Sequence, residues 1–387
     1  MVKSSSMQPH RSMAALSPSA GPSLGDMARA LAEGCTRCGA CAAACGFLCQ
    51  HGLPGDQAQA ALDGAAGGDP YQCSLCGLCG VVCPEQLAPG EFFLALRRQA
   101  AARGDLDLAR YRGLLGYEAR GHSRLFAWQG LPPGCDTVFF PGCTLPGTRP
   151  AATWRLFAEL RRRLPRLGVV LDCCHKPSHD LGRQDYFAER FAEVMGPLLE
   201  YGVSTVLVAC PNCHKVFSRY AAPLTVRTVY EFFADNGLSS LPMAAGEVTV
   251  HDPCPLRAEE GVHRAVRGLL AQAGLTVTEM RHSRGRTLCC GEGGTVGCVA
   301  PELSTAWSAR RADEAGGRRM VTYCAGCAGY LSRVAPTAHL ADILFNGEGP
   351  EGLARALAGR ARVWRAPFTY LNRLRLKRRL RRLLGLA

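Results

Sequence analysis

The pattern of hydrophobic and polar positions divides the chain into a cysteine-rich amino-terminal part and a longer part of alternating strands and helices. Short β-branched or aromatic runs, typical of buried strands, alternate with longer stretches typical of helices. The predicted strands are Thr137–Phe140, Val169–Leu171, Thr205–Val208, Glu247–Val250, Leu275–Thr278 and Met320–Tyr323. The predicted helices between them are Ala151–Arg163, Gln184–Tyr201, His263–Ala273 and Pro301–Ala315. This alternation predicts α/β units with parallel strands.

The α/β part repeats itself, since each half carries a single cysteine, an adjacent cysteine pair and a C-x2-C motif. Matching positions differ by 111, 116 and 114 residues, so each half has the size of a domain. We expect these cysteines to follow the strands directly, at the carboxyl ends where open α/β sheets bind ligands. The ten residues are Cys143, Cys173, Cys174, Cys210 and Cys213 in the first half and Cys254, Cys289, Cys290, Cys324 and Cys327 in the second.

Composition gives the remaining boundaries. The predicted division is a flexible leader (1–25), a cysteine-rich module (26–105), a linker (106–130), two α/β domains (131–240 and 241–350) and a basic tail (351–387). The leader lacks the apolar stretch of a secretory signal peptide, and no apolar run reaches the length of a membrane-spanning helix. With 21 cysteines and no export signal, reduced thiolates that hold metal are expected instead of disulfides. The predicted localisation is cytoplasmic.

The net charge of +13 is a property of the tail. Residues 360–387 contain ten Lys or Arg and no acidic residue, which leaves +3 for the rest of the chain, so no nucleic-acid partner is expected. Leu376, Leu380, Leu383 and Leu384 share one face of a predicted amphipathic helix. Three interpretations stay open: docking at the inner face of the cell membrane, docking on an acidic partner, or a solvated tail.

Two copies of a C-x2-C-x2-C-x3-C motif occupy the amino-terminal module, and the second is followed by Pro84. Three closely spaced thiolates hold one face of a cubane [4Fe–4S] cluster, while the fourth reaches the other cluster. We therefore assign Cys35, Cys38, Cys41 and Cys83 to one cubane, and Cys73, Cys76, Cys79 and Cys45 to the second. The alternative is a structural zinc pair, which does not require the third cysteine of each motif.

The duplicated α/β part predicts a different kind of metal site. Adjacent cysteines are poorly placed to bind one tetrahedral ion, and they suit a cluster with several metal atoms. A cysteine-rich zinc fold is the alternative. The arrangement Phe-Pro-Gly-Cys143, Cys173-Cys174 and Cys210-Pro-Asn-Cys213, repeated as His-Asp-Pro-Cys254, Cys289-Cys290-Gly291 and Cys324-Ala-Gly-Cys327, resembles the twin CCG domains of heterodisulfide reductase-type iron–sulfur proteins. The resemblance covers about residues 30–350. It implies a helical two-cluster ferredoxin domain followed by two tandem α/β CCG domains.

The same resemblance implies one or two noncubane [4Fe–4S] clusters, each held by a five-cysteine set. His175 departs from the pattern, because it stands where the family has Gly and could crowd a cluster in the first domain. Cys49, Cys135 and Cys298 are not assigned to any set. Cys298 ends a Gly-rich loop that we expect to bring backbone amides close to cluster sulfurs.

The leading functional hypothesis is an iron–sulfur electron-transfer subunit. It would relay electrons between a flavoprotein dehydrogenase and a thiol/disulfide or quinone acceptor, and its partner would be a flavoprotein or a membrane cytochrome/quinone module. No flavin or nicotinamide fingerprint is found in the chain. The alternative is a catalytic disulfide reductase at the second CCG cluster, with Cys290 and His251 as catalytic residues. A structural zinc or scaffold protein is the third hypothesis.

Overall fold

A computed structural model describes residues 21–65, 67–241, 243, 245–345, 354–356 and 363–386. Within these residues the chain has mixed helical and α/β content. The strands are β1 (Trp128–Gly130), β2 (Thr137–Phe140), β3 (Gly168–Leu171), β4 (Thr205–Val208), β5 (Thr225–Thr228), β6 (Gly246–His251), β7 (Leu275–Val277), β8 (Arg319–Thr322) and β9 (Thr337–His339).

Helices dominate the first hundred residues and alternate with the strands afterwards. They are α1 (Leu24–Gly34), α2 (Ala40–Ala43), α3 (Gly46–His51), α4 (Pro54–Leu62), α5 (Leu78–Val81), α6 (Pro89–Arg103), α7 (Arg112–His122), α8 (Leu145–Thr148), α9 (Pro150–Arg163), α10 (Lys176–Asp180), α11 (Gln184–Tyr201), α12 (Pro211–Tyr220), α13 (Val229–Asn236), α14 (Glu260–Gln272), α15 (Pro301–Ala315), α16 (Ala325–Leu331), α17 (Leu340–Phe345) and α18 (Phe368–Leu384). No helix of the described residues is long and apolar enough to cross a membrane.

The two sheets repeat one topology. The first has the order β1-β3-β2-β4-β5 and the second β7-β6-β8-β9, so that β2 to β5 correspond in sequence to β6 to β9. Neighbouring strands among β2 to β9 pair in parallel. Strand β1 pairs antiparallel with β3. The six predicted strands all form. The predictions missed β1, β5 and β9; β1 and β9 have three residues each, and β5 is polar and partly exposed.

One hydrophobic cluster runs through both α/β halves and holds them together. Phe139 and Val169 of the first sheet belong to the same cluster of buried residues as Val250 and Val321 of the second. At this junction the buried Arg149 Nε lies 2.7 Å from the buried Asp342 Oδ2 of α17. Burial on both faces explains why these strands are short runs of Val, Leu and Phe without polar alternation.

The amino-terminal helices pack on the second half of the α/β part. Phe47, Phe92 and Phe93 share a core with Leu303 and Trp307 of α15. Helix α1 begins at Leu24, where Ser23 and Asp26 form a capping box, so the described part of the predicted leader 1–25 already enters this module. The rest of that prediction, residues 1–20, lies outside the described residues.

The predicted linker 106–130 has regular structure of its own. It forms α7 and adds β1 to the edge of the first sheet. Absence of cysteine and of strong hydrophobic periodicity predicted a connector, yet α7 places Glu118 and His122 beside the first cysteine pair. The remaining domain boundaries stay predictions.

The basic tail forms α18, which packs on the same chain. Leu376 and Leu380 are buried in the core shared by both halves. The ammonium group of Lys377 donates to the carbonyls of residues 124, 125 and 127, at 2.9, 3.0 and 2.8 Å. The two central leucines of the predicted face therefore do not point to a membrane or partner, because the protein's own core covers them. Leu383, by contrast, is exposed.

Candidate metal centres

Four cysteines of the first assigned cubane set line one cavity of about 370 Å³, here called the outer cavity. They are Cys35, Cys38, Cys41 and Cys83. Cys38 is exposed and the other three are partly exposed. Arg37 stands at the rim, half exposed, with its Nε 2.7 Å from Asp56 Oδ1. This cavity therefore faces solvent.

The second assigned set lines another cavity of about 460 Å³, here called the inner cavity. Its cysteines are Cys45, Cys73, Cys76 and Cys79. Cys79 also lines the outer cavity, and Cys289 and Trp307 of the second α/β half close the inner one. The inner cavity thus lies between the amino-terminal module and the second α/β half.

The two motifs adopt the same backbone around their cavities. Arg37 and Gly39 have φ of 55° and 78°, and the corresponding Leu75 and Gly77 have 52° and 73°. Two left-handed residues so close together curl the chain tightly, and glycine accepts this conformation without strain. The amide of Leu75 consequently donates to Cys73 Sγ at 3.4 Å.

Sulfur spacing distinguishes the two candidate kinds of metal. Tetrahedral zinc with Zn–S bonds of about 2.3 Å requires sulfurs about 3.8 Å apart. Among the described residues, groups of three possible ligands within 4.8 Å of one another do occur, but none includes a cysteine of the amino-terminal module. The sulfurs of the amino-terminal module are therefore not gathered into the compact tetrahedron that one zinc ion needs.

Burial makes isolated thiolates unfavourable in the inner cavity. It raises the pKa of Cys45 to about 12 and the pKa of Cys73 to about 11, and it raises the pKa of Cys79 well above the ordinary value. These three soft sulfur donors need positive charge nearby to ionise, and iron displaces their protons on binding.

The first five-cysteine set gathers at the carboxyl ends of β2, β3 and β4. The Cys143 thiol lies beside that of Cys173, and the Cys213 thiol lies beside those of Cys174 and Cys210. The turn at Gly142, with φ of 77°, passes so close that an added Cβ would lie 3.2 Å from Cys213 Sγ.

The second set also gathers into one site. Cys290 Sγ donates to Cys327 Sγ at 3.1 Å, and the Cys254 thiol lies beside that of Cys289. Cys324 caps α16 by accepting from the amide of Cys327 at 3.5 Å. The pair Cys289–Cys290 does not follow its strand directly as expected, because residues 278–288 intervene after β7.

The residue after each cysteine pair has the same backbone role but a different side chain. The amides of His175 and Gly291 donate to Cys173 Sγ and Cys289 Sγ at 3.4 and 3.3 Å, with φ of 56° and 94°. A Cβ at Gly291 would lie 2.4 Å from the carbonyl oxygen of Ser304, so a side chain has no room there.

His175 has room because α7 borders its side chain. The ring is fully buried, with Nδ1 3.5 Å from Glu118 Oε1 and its centroid 4.7 Å from that of His122. Neither ring nitrogen has a hydrogen-bond partner. Cys173, Glu118 and His175 each place a ligand atom within 4.8 Å of the others. Whether the first domain holds a cluster stays a prediction.

His251 lies beside the sulfurs of the second set but is poorly suited to donate a proton as an acid. A ring nitrogen, Cys290 Sγ and Cys327 Sγ lie within 4.8 Å of one another. Burial, and then the charge of Arg311, lowers the pKa of His251 to about 3. Arg311 Nε donates to Nδ1 at 3.2 Å, so the neutral ring carries its proton on Nε2, which has no hydrogen-bond partner among the described residues.

Several charged residues at the sites were missed, since no sequence spacing marks them. Arg97 and Arg257 donate to backbone carbonyls beside the inner cavity. Lys176 pairs with Asp180 and lies near Cys174 and Cys254, one from each set. Burial raises the pKa of Glu292, whose carboxylate lies beside Cys324 and Cys327.

The Gly-rich loop, residues 291–298, forms a contact between the second α/β half and the amino-terminal module. A Cβ at Gly293 would lie 2.7 Å from the carbonyl oxygen of Ser74, and one at Gly294 would lie 2.5 Å from that of Cys73. The glycines therefore let the second α/β half touch the inner-cavity loop directly. The unassigned Cys49, Cys135 and Cys298 line neither the outer nor the inner cavity.

Comparison with known proteins identifies the modules. A model described as a 4Fe-4S dicluster domain matches residues 31–87, and CCG, a cysteine-rich domain, matches residues 137–218 and 248–332. Among solved structures, Picrophilus torridus aspartate racemase covers 61% of this chain and 99% of its own, with 12% identity and a TM-score of 0.26, too low to carry an argument.

Two relatives share the region of both modules. A subunit of the fumarate reductase (CoM/CoB) of Methanothermobacter marburgensis is 31% identical over 281 residues, 67% of this chain and 55% of that protein. A subunit of the dihydromethanophenazine:CoB–CoM heterodisulfide reductase of Methanosarcina barkeri is 28% identical over 279 residues, 64% of this chain and 68% of that protein. The chain thus spans about half to two thirds of the length of these relatives. It belongs to the iron–sulfur proteins that join a 4Fe-4S dicluster domain to CCG domains, and it is a homologue of this heterodisulfide reductase subunit.

Proposed function

We propose that the chain is an iron–sulfur electron-transfer subunit that relays electrons between a flavoprotein dehydrogenase and a thiol/disulfide or quinone acceptor. The observation that carries this proposal is the continuity of the sulfur-lined sites. The outer cavity is lined by the exposed Cys38, and it shares Cys79 with the inner cavity. The inner cavity is in turn lined by Cys289 of the second CCG domain.

The cysteines would hold the clusters as assigned from the motif spacing. The outer set is Cys35, Cys38, Cys41 and Cys83, and the inner set is Cys73, Cys76, Cys79 and Cys45. Iron–sulfur clusters supply one-electron transfer at potentials set by their surroundings. The protein's part is to hold adjoining sites in a fixed order and to bury the inner one more deeply than the outer one.

The partner and location belong to the same proposal. An electron donor such as a flavoprotein would dock near Cys38, the exposed cysteine of the outer cavity. Cytoplasmic localisation is proposed, with α18 at the membrane surface as a further element. Since Leu376 and Leu380 are buried, such contact would use exposed cations, among them Arg375, Arg378 and Arg382.

Anaerobic reconstitution tests the relay. The protein should bind at least about eight iron and eight sulfide, the content of two cubanes, and more if CCG clusters assemble. After mixing with a chemical reductant, spectra should show reduction of the cubanes and then of the second CCG site. Zinc without sulfide would refute the proposal.

The second candidate function is disulfide reduction at the second CCG site. Its supporting observation is the buried contact of Cys290 with Cys327 beside the uncharged His251. The names of both relatives include CoM and CoB, which makes a disulfide of two small thiols the natural substrate to try.

An assay with reduced methyl viologen as electron donor separates the candidates. Disulfide reduction at Cys290 requires that Cys290→Ser abolish cleavage, while Cys135→Ser, a buried cysteine outside the five-cysteine sets, leaves it unchanged. Equal rates in the native protein and Cys290→Ser would remove the catalytic function and leave the relay.

A further inference from the structure

Two buried arginines grip the loops of the inner cavity. Arg97 of α6 is fully buried, and its guanidinium donates to the carbonyls of Cys73 at 2.5 Å, Asp180 at 2.7 Å, Gly294 at 2.8 Å and Pro70 at 2.9 Å. Every one of these acceptors is a neutral backbone oxygen, so they solvate the guanidinium without cancelling its charge.

Arg257 repeats this arrangement three residues further along the same motif. It is 8% exposed and donates to the carbonyl of Cys76 at 3.1 Å, to that of Thr287 at 2.8 Å and to that of Gly285. The two arginines thus bind the carbonyls of Cys73 and Cys76, two of the four cysteines that line the inner cavity.

Neither cation has a carboxylate partner among the described residues, where every ion pair within 4.0 Å involves other cations. The side chain of Asp180 is already engaged by Lys176 and His179. A buried charge without a counter-charge is costly, so the fold must supply negative charge nearby.

The inner cavity offers that charge once its thiols ionise. Four thiolates around an iron–sulfur core carry net negative charge, and each one-electron reduction adds one more negative charge. We propose that Arg97 and Arg257 are the counter-ions of the inner cluster and hold its reduction potential above that of the outer cluster. This inference rests on the proposed relay and gives it a direction, since electrons entering at the outer site would pass inward.

The outer cavity lacks this device within the described part of the chain. Its arginine, Arg37, is half exposed and neutralised by Asp56 at 2.7 Å. Solvent screening and the ion pair weaken its field at the outer sulfurs. The asymmetry between two otherwise similar motifs therefore lies in the surrounding cations.

Arg97 also makes the effect depend on assembly of the whole molecule. Its carbonyl acceptors belong to the amino-terminal module, to the first α/β half at Asp180, and to the second at Gly294. Gly182 packs on its backbone so closely that an added Cβ would lie 2.4 Å from the carbonyl carbon of Arg97. Arg97 is thus a positioning residue that holds three parts of the chain around one cavity.

The test is a redox titration of the reconstituted full-length protein, followed by electron paramagnetic resonance, with iron and sulfide measured in every sample. Cys45→Ser and Cys83→Ser assign the signals to the inner and outer clusters. We expect Arg97→Met and Arg257→Met each to lower the equilibrium constant for inner-cluster reduction at least tenfold, which is about 59 mV. The matched control is Arg37→Met, which should change the equilibrium constant for outer-cluster reduction less than threefold.

Arg97→Lys separates charge from packing, because it keeps the cation and loses most of the hydrogen bonds. The equilibrium constant for inner-cluster reduction should stay within threefold of the native value in this variant. If Arg97→Met fails to retain the inner cluster, the reduction potentials of Arg257→Met and Arg97→Lys decide whether the arginine charge raises the inner potential.

Two outcomes would overturn the inference. Unchanged inner potentials in Arg97→Met and Arg257→Met, with full iron and sulfide, would refute it and leave the relay intact. A tenfold fall in the equilibrium constant for inner-cluster reduction in Arg97→Lys would refute charge as the cause. Native protein without iron and sulfide would overturn the relay and the inference together.

Discussion

At the scale of residues, the fourth cysteine of each motif distinguishes a crossed pair of clusters from two separate ones. Cys45 closes the first motif in sequence but lines the inner cavity, and Cys83 closes the second but lines the outer one. Thiolate ligands are exchanged between motifs in this way in two-cluster ferredoxins.

We therefore expect Cys45→Ser to lose the inner cluster and Cys83→Ser the outer one, each about four iron atoms. Iron analysis with electron paramagnetic resonance measures both. The control is Cys49→Ser. The Cys49 thiol lines neither cavity and donates to the carbonyl of Ala42 at 3.1 Å. Loss of the same signal in Cys45→Ser and Cys83→Ser would contradict the crossed assignment.

A second residue-scale prediction concerns the position after each cysteine pair. Gly291→His should lose the second CCG site's metal, because even a Cβ would collide with the carbonyl oxygen of Ser304 at 2.4 Å. His175→Gly should retain the metal content of the first domain, since glycine suits its φ of 56°. Iron content per chain tests both, and equal losses would show that side-chain space does not distinguish the two halves.

At the scale of elements, α18 changes the interpretation of the tail. Its sequence predicts an amphipathic helix with a basic surface, and the helix forms, but its inward face completes the protein's own core. Hydrophobic periodicity identifies an apolar face without identifying what covers it. Deleting residues 364–387 would therefore affect folding as well as any docking, which makes deletion a poor test of membrane contact.

Point substitutions in α18 give a cleaner test. Leu376→Ala and Leu380→Ala should each lower the free energy of unfolding by about 2–5 kcal/mol, because both leucines are buried in the core. Leu371→Ala and Leu383→Ala, at exposed positions of the same helix, should stay within about 0.5 kcal/mol. Anaerobic unfolding curves measure the difference, and similar effects at all four positions would argue against the docked helix.

At the scale of the whole molecule, the two α/β halves act as one body because they share a core and a buried ion pair. Removing one partner of such a pair leaves the other charge buried. Arg149→Met should therefore destabilise the protein by about 3 kcal/mol or more, since Asp342 would lose a partner at 2.7 Å.

The matched control for this junction is Arg264→Met. Arg264 and Glu260 form an ion pair on the surface of α14, with both side chains mostly exposed. Its loss should change stability by less than about 1 kcal/mol. Thermal unfolding of both variants under anaerobic conditions provides the comparison, and an Arg149→Met protein as stable as Arg264→Met would show that the pair does not hold the halves together.

The sequence by itself determined six of the nine strands of the described residues and grouped the cysteines into motifs. Short runs of Val, Leu and Phe identified β2, β3, β4, β6, β7 and β8, because strands buried on both faces need no polar alternation. Cysteine spacing determined which thiols could act together, since a metal core constrains neighbouring ligands locally. The duplication was visible for the same reason.

Only the tertiary structure decided how the modules meet. The sharing of Cys79, the approach of Gly294 to Cys73 and the burial of Leu376 depend on contacts between residues far apart in the chain. Arg97 is the clearest case, because it is one of many arginines in the sequence. It becomes significant when carbonyls from three modules surround it and no carboxylate within the described residues pairs with it. Burial and charge balance are properties of the assembled fold, and a local pattern of residues does not contain them.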